Sequence, residues 1–281
     1  MRHLFLIVLG TAAVATCSLA DAYKAYKRPA HGYETFIVHP THEASVMVPY
    51  VETNDSTTHT NTGSIVLGRI YRNNQEVTEI TVPDYVKSIE ESAFENCTNL
   101  VSVHLPGNLT AIEPYTFKDC RSLSDITIPV STKQIGQYAF AGCSSLDTVR
   151  IPAKVRSIGR NALPDCHVEV HPDNRHFSFA DGVLYNRDGT SLVAFLQSRT
   201  EEFVVPDNVR SIGDWAFSDH PNLEYVQIPA SVKYIGKGAF FGCSNLNVMI
   251  DGSPDKMNFD KAAFMGCRSV SFLAQPTNFV K

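Results

Sequence analysis

The side chains best spaced to do chemistry are His167, Glu169 and His171, which alternate along the stretch HVEVH. On an extended strand they share one face, and two imidazoles with a carboxylate could ligate a metal, although a fourth ligand is missing. The same alternation suits an exposed polar face over buried Val168 and Val170. The sequence therefore assigns no metal site here. His39, His42 and Glu43 form a weaker group, and Asp181-Gly182 and Asp188-Gly189 are turn signals before they are calcium ligands. HExxH, GxSxG and Walker A patterns do not occur, and GKGAFFG at 236–242 departs from GxGxxG in its spacing. The sequence thus assigns no catalytic residue, expects no cofactor and shows none of these hydrolase and nucleotide-binding motifs. A net charge of −5 argues against general nucleic-acid binding.

Seven cysteines in a chain that starts like a secreted one would ordinarily suggest disulfides. Six of them keep a register: Cys97, Cys120, Cys143, Cys166, Cys243 and Cys267, with His220 standing in once. Residues recurring at a fixed step occupy one structural column, where a small apolar side chain suffices. Free buried thiols are the expectation.

The elements that hold these residues are repeats of about 23 residues. The unit is clearest at 124–146, SDITIPVSTKQIGQYAFAGCSSL. The aromatic of its AF pair recurs at Phe94, Phe117, Phe140, Phe217, Phe240 and Phe264, with Leu163 in the same slot, so the steps are 23, 23, 23, 54, 23 and 24. The step of 54 is one period plus 31 inserted residues. Apolar pairs such as Val103/Leu105 and Ile126/Ile128 alternate with polar residues, which is a strand with one buried face. Each strand should stop at its proline (Pro83, Pro106, Pro129, Pro152, Pro206 or Pro229), because proline cannot donate to a ladder. A second aliphatic (Ile89, Ile112, Ile135, Ile158, Ile212 or Ile235) and the AFxxC turn complete the unit. One unit cannot bury its own apolar face, so seven or eight must stack, phenylalanine over phenylalanine, coiling right-handed. Glu90 and Glu113 stand where later units have Gly136, Gly159, Gly213 and Gly236, so this position is expected to tolerate a side chain.

The consensus LxxIxIPxxVxxIGxxAFxxC resembles the Treponema pallidum-type leucine-rich repeat of the BspA-like bacterial surface proteins, from about residue 65 to about 270. The resemblance implies a leucine-rich-repeat solenoid with a parallel β-sheet on its concave face and loops and short helical turns on the convex side. It also implies a binding module, several such proteins being implicated in adhesion to host matrix or other cells.

Residues 1–22 read as a signal peptide, with Arg2 and His3 before the apolar run Leu4–Ala15 and Ala20-Asp21-Ala22 as the cleavage signal. Cys17 leaves lipidation open as the alternative, with a lipid anchor at that residue. The run is too short to span a membrane. Residues 23–64 form an amino-terminal segment, with ETFIVHP and ASVMVPYV as strands of a cap and NDSTTHTNTGS at 54–64 as a flexible linker. The solenoid occupies 65–281, with an insertion at about 167–200 that reads as a β-hairpin built into the array. The tail SFLAQPTNFVK reads as one more short strand. Asn54, Asn96 and Asn108 head sequons that matter only in a glycosylating host.

What the pattern leaves free is the outward sheet face. Ser102, His104, Asp125, Thr127, Thr148, Arg150, Tyr225 and Gln227 are the candidate partner-binding residues on it. The function expected is an exported, non-enzymatic protein-binding module, periplasmic, cell-surface associated or secreted. Its ligand would be a host matrix or cell-surface protein. A scaffold for bacterial envelope proteins, and a metal- or glycan-binding module working through the insertion, stand as alternatives.

Overall fold

In a computed structural model, residues 71–84 and 86–273 are described, together with the backbone of strands Tyr33–Val38, Val46–Glu52 and Ile65–Leu67. The signal peptide and Cys17, His39, His42 and Glu43, the tract at 54–64 with Asn54, and tail residues 274–281 lie outside the described residues. The chain is a parallel-strand β-solenoid of about eight turns. It divides into two compact units, Met1–Leu146 and Asp147–Lys281.

Each turn contributes two strands, because two aliphatic positions per repeat must face the interior. In the first unit Glu79–Thr81, Ser102–His104 and Asp125–Ile126 pair in parallel, with Ile80, Val103 and Ile126 in one row. In the second unit Thr148–Ile151 pairs with His167–Val170, and Glu202–Val204, Tyr225–Ile228, Asn247–Asp251 and Ser269–Leu273 pair in succession. The second aliphatic sits on a strand of its own: Ala111–Ile112 pairs with Gln134–Ile135, and Ser211–Ile212 with Tyr234–Ile235 and then Asn258–Phe259. Between the two strands the chain turns just past the proline. The amide three residues on bonds back to the proline carbonyl, as in Leu109 to Pro106 and Val232 to Pro229, and buries that residue.

The phenylalanines stack as the register requires. Tyr71, Phe94, Phe117 and Phe140 form one column in the first unit, with ring centroids 5.2–5.5 Å apart. Phe195, Phe217, Phe240 and Phe264 form another in the second. Tyr71, which lacks the AF pair, and Phe195, whose Ala194-Phe195 pair lacks the cysteine three residues on, extend these columns.

The AFxxC segment is a set of single turns closed by i→i+3 bonds, such as Cys97 N to Phe94 O at 3.1 Å, and not an α-helix. The cause lies in two left-handed positions per turn. Ser92, Tyr115, Tyr138, Asn161 and Trp215 occupy one such position of the repeat and Asn96, Asp119 and Asp219 the other, all with φ between 46° and 61°. A left-handed residue costs roughly 1–2 kcal/mol, but here it aims the amide along the stack. Ser92, Phe94 and Asn96 donate to Pro114, Thr116 and Lys118, and Tyr115, Phe117 and Asp119 donate to Gln137, Ala139 and Ala141, at 2.7–3.0 Å. Asparagines add side-chain rungs: Asn99, Asn222 and Asn245 each donate Nδ2 to a carbonyl 24 residues back.

The column of Gly136 is less permissive than its glutamates suggest. A Cβ at Gly136 would stand 2.4 Å from Pro114 N, and one at Gly236 2.6 Å from Asp214 N.

The insertion forms an antiparallel meander of Phe177–Ala180, Val183–Asn186 and Ser191–Phe195, whose last strand runs parallel to Ser211–Ile212. Asp181 and Gly182, both at positive φ, make its first turn. His167–Val170 is a regular first strand, so the added chain begins after it. At the amino-terminal end, Tyr33–Val38 and Val46–Glu52 pair antiparallel, and Ile65–Leu67 joins them to Val86–Ile89.

Candidate binding surface

A strand that buries alternate residues must present the others, and here the presented residues line up across turns. In the first unit Glu79, Ser102 and Asp125 form one row, and Thr81 and His104 another, with Thr127 exposed just past the strand end. His104 Nε2 lies 3.6 Å from a Glu79 oxygen. In the second unit Thr148 faces His167 and Arg150 faces Glu169, whose carboxylate it holds at 2.8 Å. Glu202, Tyr225, Asn247 and Ser269 form the next row, and Val204, Gln227, Met249 and Ser271 the one beside it. Gln227 Nε2 donates to Asp251 at 3.2 Å.

The eight sequence-assigned residues therefore fall into two groups. Ser102, His104, Asp125 and Thr127 share the first unit's face, and Thr148, Arg150, Tyr225 and Gln227 lie on first strands of the second. Reasoning from the repeat missed Asn247 and Met249, because Asp251-Gly252 replaces the Ile-Pro step there, and Ser269 and Ser271, because no further repeat follows them to set the register. The alternation in NVMID was the available signal, with Val248 and Ile250 buried.

The histidine set does not converge. Glu169 is engaged by Arg150, His167 packs edge-on to Phe179 at 5.6 Å, and His171 Nδ1 accepts from the Asp173 amide at 3.2 Å. Among the described residues no group of three His, Cys, Asp or Glu is placed to hold a metal ion.

The six described cysteines are free. Burial pushes Cys166 and Cys243 up to about 11 and Cys267 to about 12. His220, in the same column, is held below its usual range by burial, with Nδ1 3.1 Å from Phe217 O and 3.0 Å from Ser218 O.

A second polar cluster bridges the insertion. Arg160 stacks on Trp215 at 4.0 Å and pairs with Asp219 at 2.9 Å, while Asn161 donates to Asp219 at 2.8 Å and accepts from Ser218 Oγ at 3.0 Å. Partners almost 60 residues apart gave no sequence signal.

Stacked two-strand turns with an aromatic column and a free-thiol column define a leucine-rich-repeat β-solenoid. The family model for the BspA type leucine rich repeat region matches in six copies over residues 67–177 and 191–281, and the chain belongs to that family. Solved structures similar to it include a leucine-rich repeat protein from Eubacterium ventriosum, 22% identical, covering 81% of this chain and 82% of that one, with a TM-score of 0.49. One from Bacteroides ovatus is 23% identical over 89% and 72% of the two chains, with a TM-score of 0.48. The T. pallidum leucine rich repeat protein is 26% identical over 78% and 86%, with a TM-score of 0.41. No curated protein matches. No helix among the described residues is long and apolar enough to cross a membrane.

Proposed function

We propose that the outward face of the first-strand sheets binds another protein, and that the chain is an exported, non-enzymatic module serving adhesion to host matrix or cell-surface proteins. The reading rests on the second unit's face. Val204 is 62% exposed there, in register with Gln227 and Met249, and Tyr225 stands in the adjacent row. Nothing in the stack needs an apolar residue at that position, and exposed apolar and aromatic groups on a flat surface are what protein interfaces use as anchors. Gln227 supplies a polar contact beside Tyr225, Thr148 and Arg150 add polar groups on the neighbouring two-stranded sheet, and Ser102, His104, Asp125 and Thr127 offer a more polar, acidic-edged face on the first unit. Family membership supports a repeat scaffold, and export rests on the character of residues 1–22.

The test is retention on immobilised extracellular-matrix extract, comparing the chain with a Val204→Asp/Tyr225→Ala variant. Loss of retention by the variant supports the face as the site, and equal retention removes it. Protease treatment of intact cells tests the location, since a protein that survives while other surface proteins are cleaved is not displayed for adhesion.

A further inference from the structure

On the turn side of a regular junction, three amides of one turn donate to three carbonyls of the next. Trp215, Phe217 and Asp219 do so to Lys237, Ala239 and Phe241 at 2.7–2.9 Å. At the insertion one rung survives. Phe195 donates to Ala216 O at 2.8 Å and its ring packs 4.8 Å from Phe217, so the insertion strand takes the preceding place in the stack without completing a turn. The flanking acceptor positions in the next turn are the carbonyls of Asp214 and Ser218; no backbone amide among the described residues reaches either, and Ser218 O instead faces His220 Nδ1 at 3.0 Å. The amides of Asn161, Leu163 and Asp165 hold the donor positions of their own turn, and among the described residues they make no backbone rung.

These two half-ladders line one cleft of about 360 Å³, with Val193, Ala194 and Leu196 as its apolar part. Its polar lining carries the carboxylates of Asp165, Asp214 and Asp219 against the one guanidinium of Arg160, which is already paired with Asp219. Asp165 also accepts from Ser198 Oγ at 2.6 Å. His220 borders the cleft and is neutral near pH 7, because burial lowers its pKa. The surroundings are therefore acidic.

We propose that this cleft binds a short cationic peptide segment of a partner protein, whose backbone takes the place of the missing turn. The three amides on one wall and the Asp214 carbonyl on the other are the complement of a polypeptide backbone, which presents N–H and C=O in alternation and adds affinity through main-chain bonds. The carboxylates select lysine or arginine side chains on that segment. The site is on the turn side and does not depend on the sheet-face reading.

The probe is the peptide acetyl-Gly-Lys-Ala-Lys-Gly-amide, added to the ¹⁵N-labelled chain. Saturable shifts and slowed exchange at the amides of Asn161, Leu163 and Asp165 are expected. N-methylation of the central alanine removes a main-chain donor and should weaken binding by about tenfold, and the glutamate counterpart should not bind. Ala194→Phe, which fills the cleft, should abolish the shifts while leaving the remaining spectrum in place. The proposal is overturned if the shifts are absent or fall elsewhere, or if the N-methylated peptide binds as well as its parent. Wild-type peptide shifts make the outcome readable even where Ala194→Phe fails to fold.

Discussion

The thiol of Cys120 donates a hydrogen bond to the carbonyl oxygen of Phe94, 26 residues earlier, at 3.0 Å. The same bond joins Cys97 to Tyr71, Cys143 to Phe117 and Cys243 to Phe217 at 2.8–3.0 Å, and Cys267 to Phe240 at 3.5 Å. Each cysteine thus ties its turn to the aromatic of the turn before. The column is conserved within this chain because a thiol is small enough for the core and can still satisfy a carbonyl that stacking would bury.

That arrangement predicts unreactive thiols. A thiol with a pKa of about 11, as at Cys166 and Cys243, is ionised in about one molecule in ten thousand at neutral pH. Titration with an aromatic disulfide reagent should find little reaction in the native protein at neutral pH, and six titratable thiols among these positions after denaturation without reductant. Half-buried Cys166 and Cys267 should react first as the pH is raised. Rapid native reaction of Cys120 or Cys143 would refute the column as a buried one.

Phe140 is fully buried and stacks on Phe117 at 5.4 Å with the rings 9° from parallel. Phe140→Ala leaves a cavity that neighbours bound by three backbone rungs per junction cannot collapse to fill. The expected loss of stability is about 3–5 kcal/mol, measured as a shift of the denaturant midpoint at constant slope. An unchanged midpoint would contradict the stacking.

Much of this architecture was legible in the sequence, because a residue whose place is set by stacking must recur at the period. The phenylalanine, cysteine and proline columns are of that kind. The left-handed columns were partly legible: Asn96, Asp119, Gly142, Asp219 and Gly242 share one position, and these are the residue types that adopt positive φ. Tyr115, Tyr138 and Trp215 hid the other column, because bulky residues there give no such sign. The insertion cleft was not legible. It is defined by rungs that fail to form between Asn161 and Ser218, and a missing bond leaves no residue pattern.

Trp215 and Gly238 stand one period apart in the concealed column. A Cβ on Gly238 would lie 2.2 Å from Trp215 Cζ3, and Gly238 has φ of 57°. Gly238→Ala should therefore cost about 2–4 kcal/mol, part from the left-handed backbone and part from overpacking. The second part vanishes when the indole is removed. The Trp215→Ala/Gly238→Ala double variant should be less destabilised than the sum of the single changes, and strict additivity in that cycle would show that the indole does not set the glycine.

His220 gives the solenoid a pH dependence whose sign follows from its burial. Burial lowers its pKa in the folded chain from the usual value of 6.5, outweighing the nearby carbonyls of Ser218 and Phe217 and the charges of Asp165 and Asp219. Well above pH 6.5 the ring is neutral in both states and contributes no slope. As the pH falls below that value the unfolded chain takes up a proton that the folded chain refuses, so stability drops, with a limiting slope of about 1.4 kcal/mol per pH unit until the folded pKa is reached. His220→Cys restores the thiol that other turns carry and removes the titration. Denaturant unfolding of both proteins from pH 7.5 down to 5 should give curves that run parallel above 6.5 and diverge below it, with the wild type falling faster. Parallel curves across the whole range would mean that the imidazole is solvated enough to accept its proton in place.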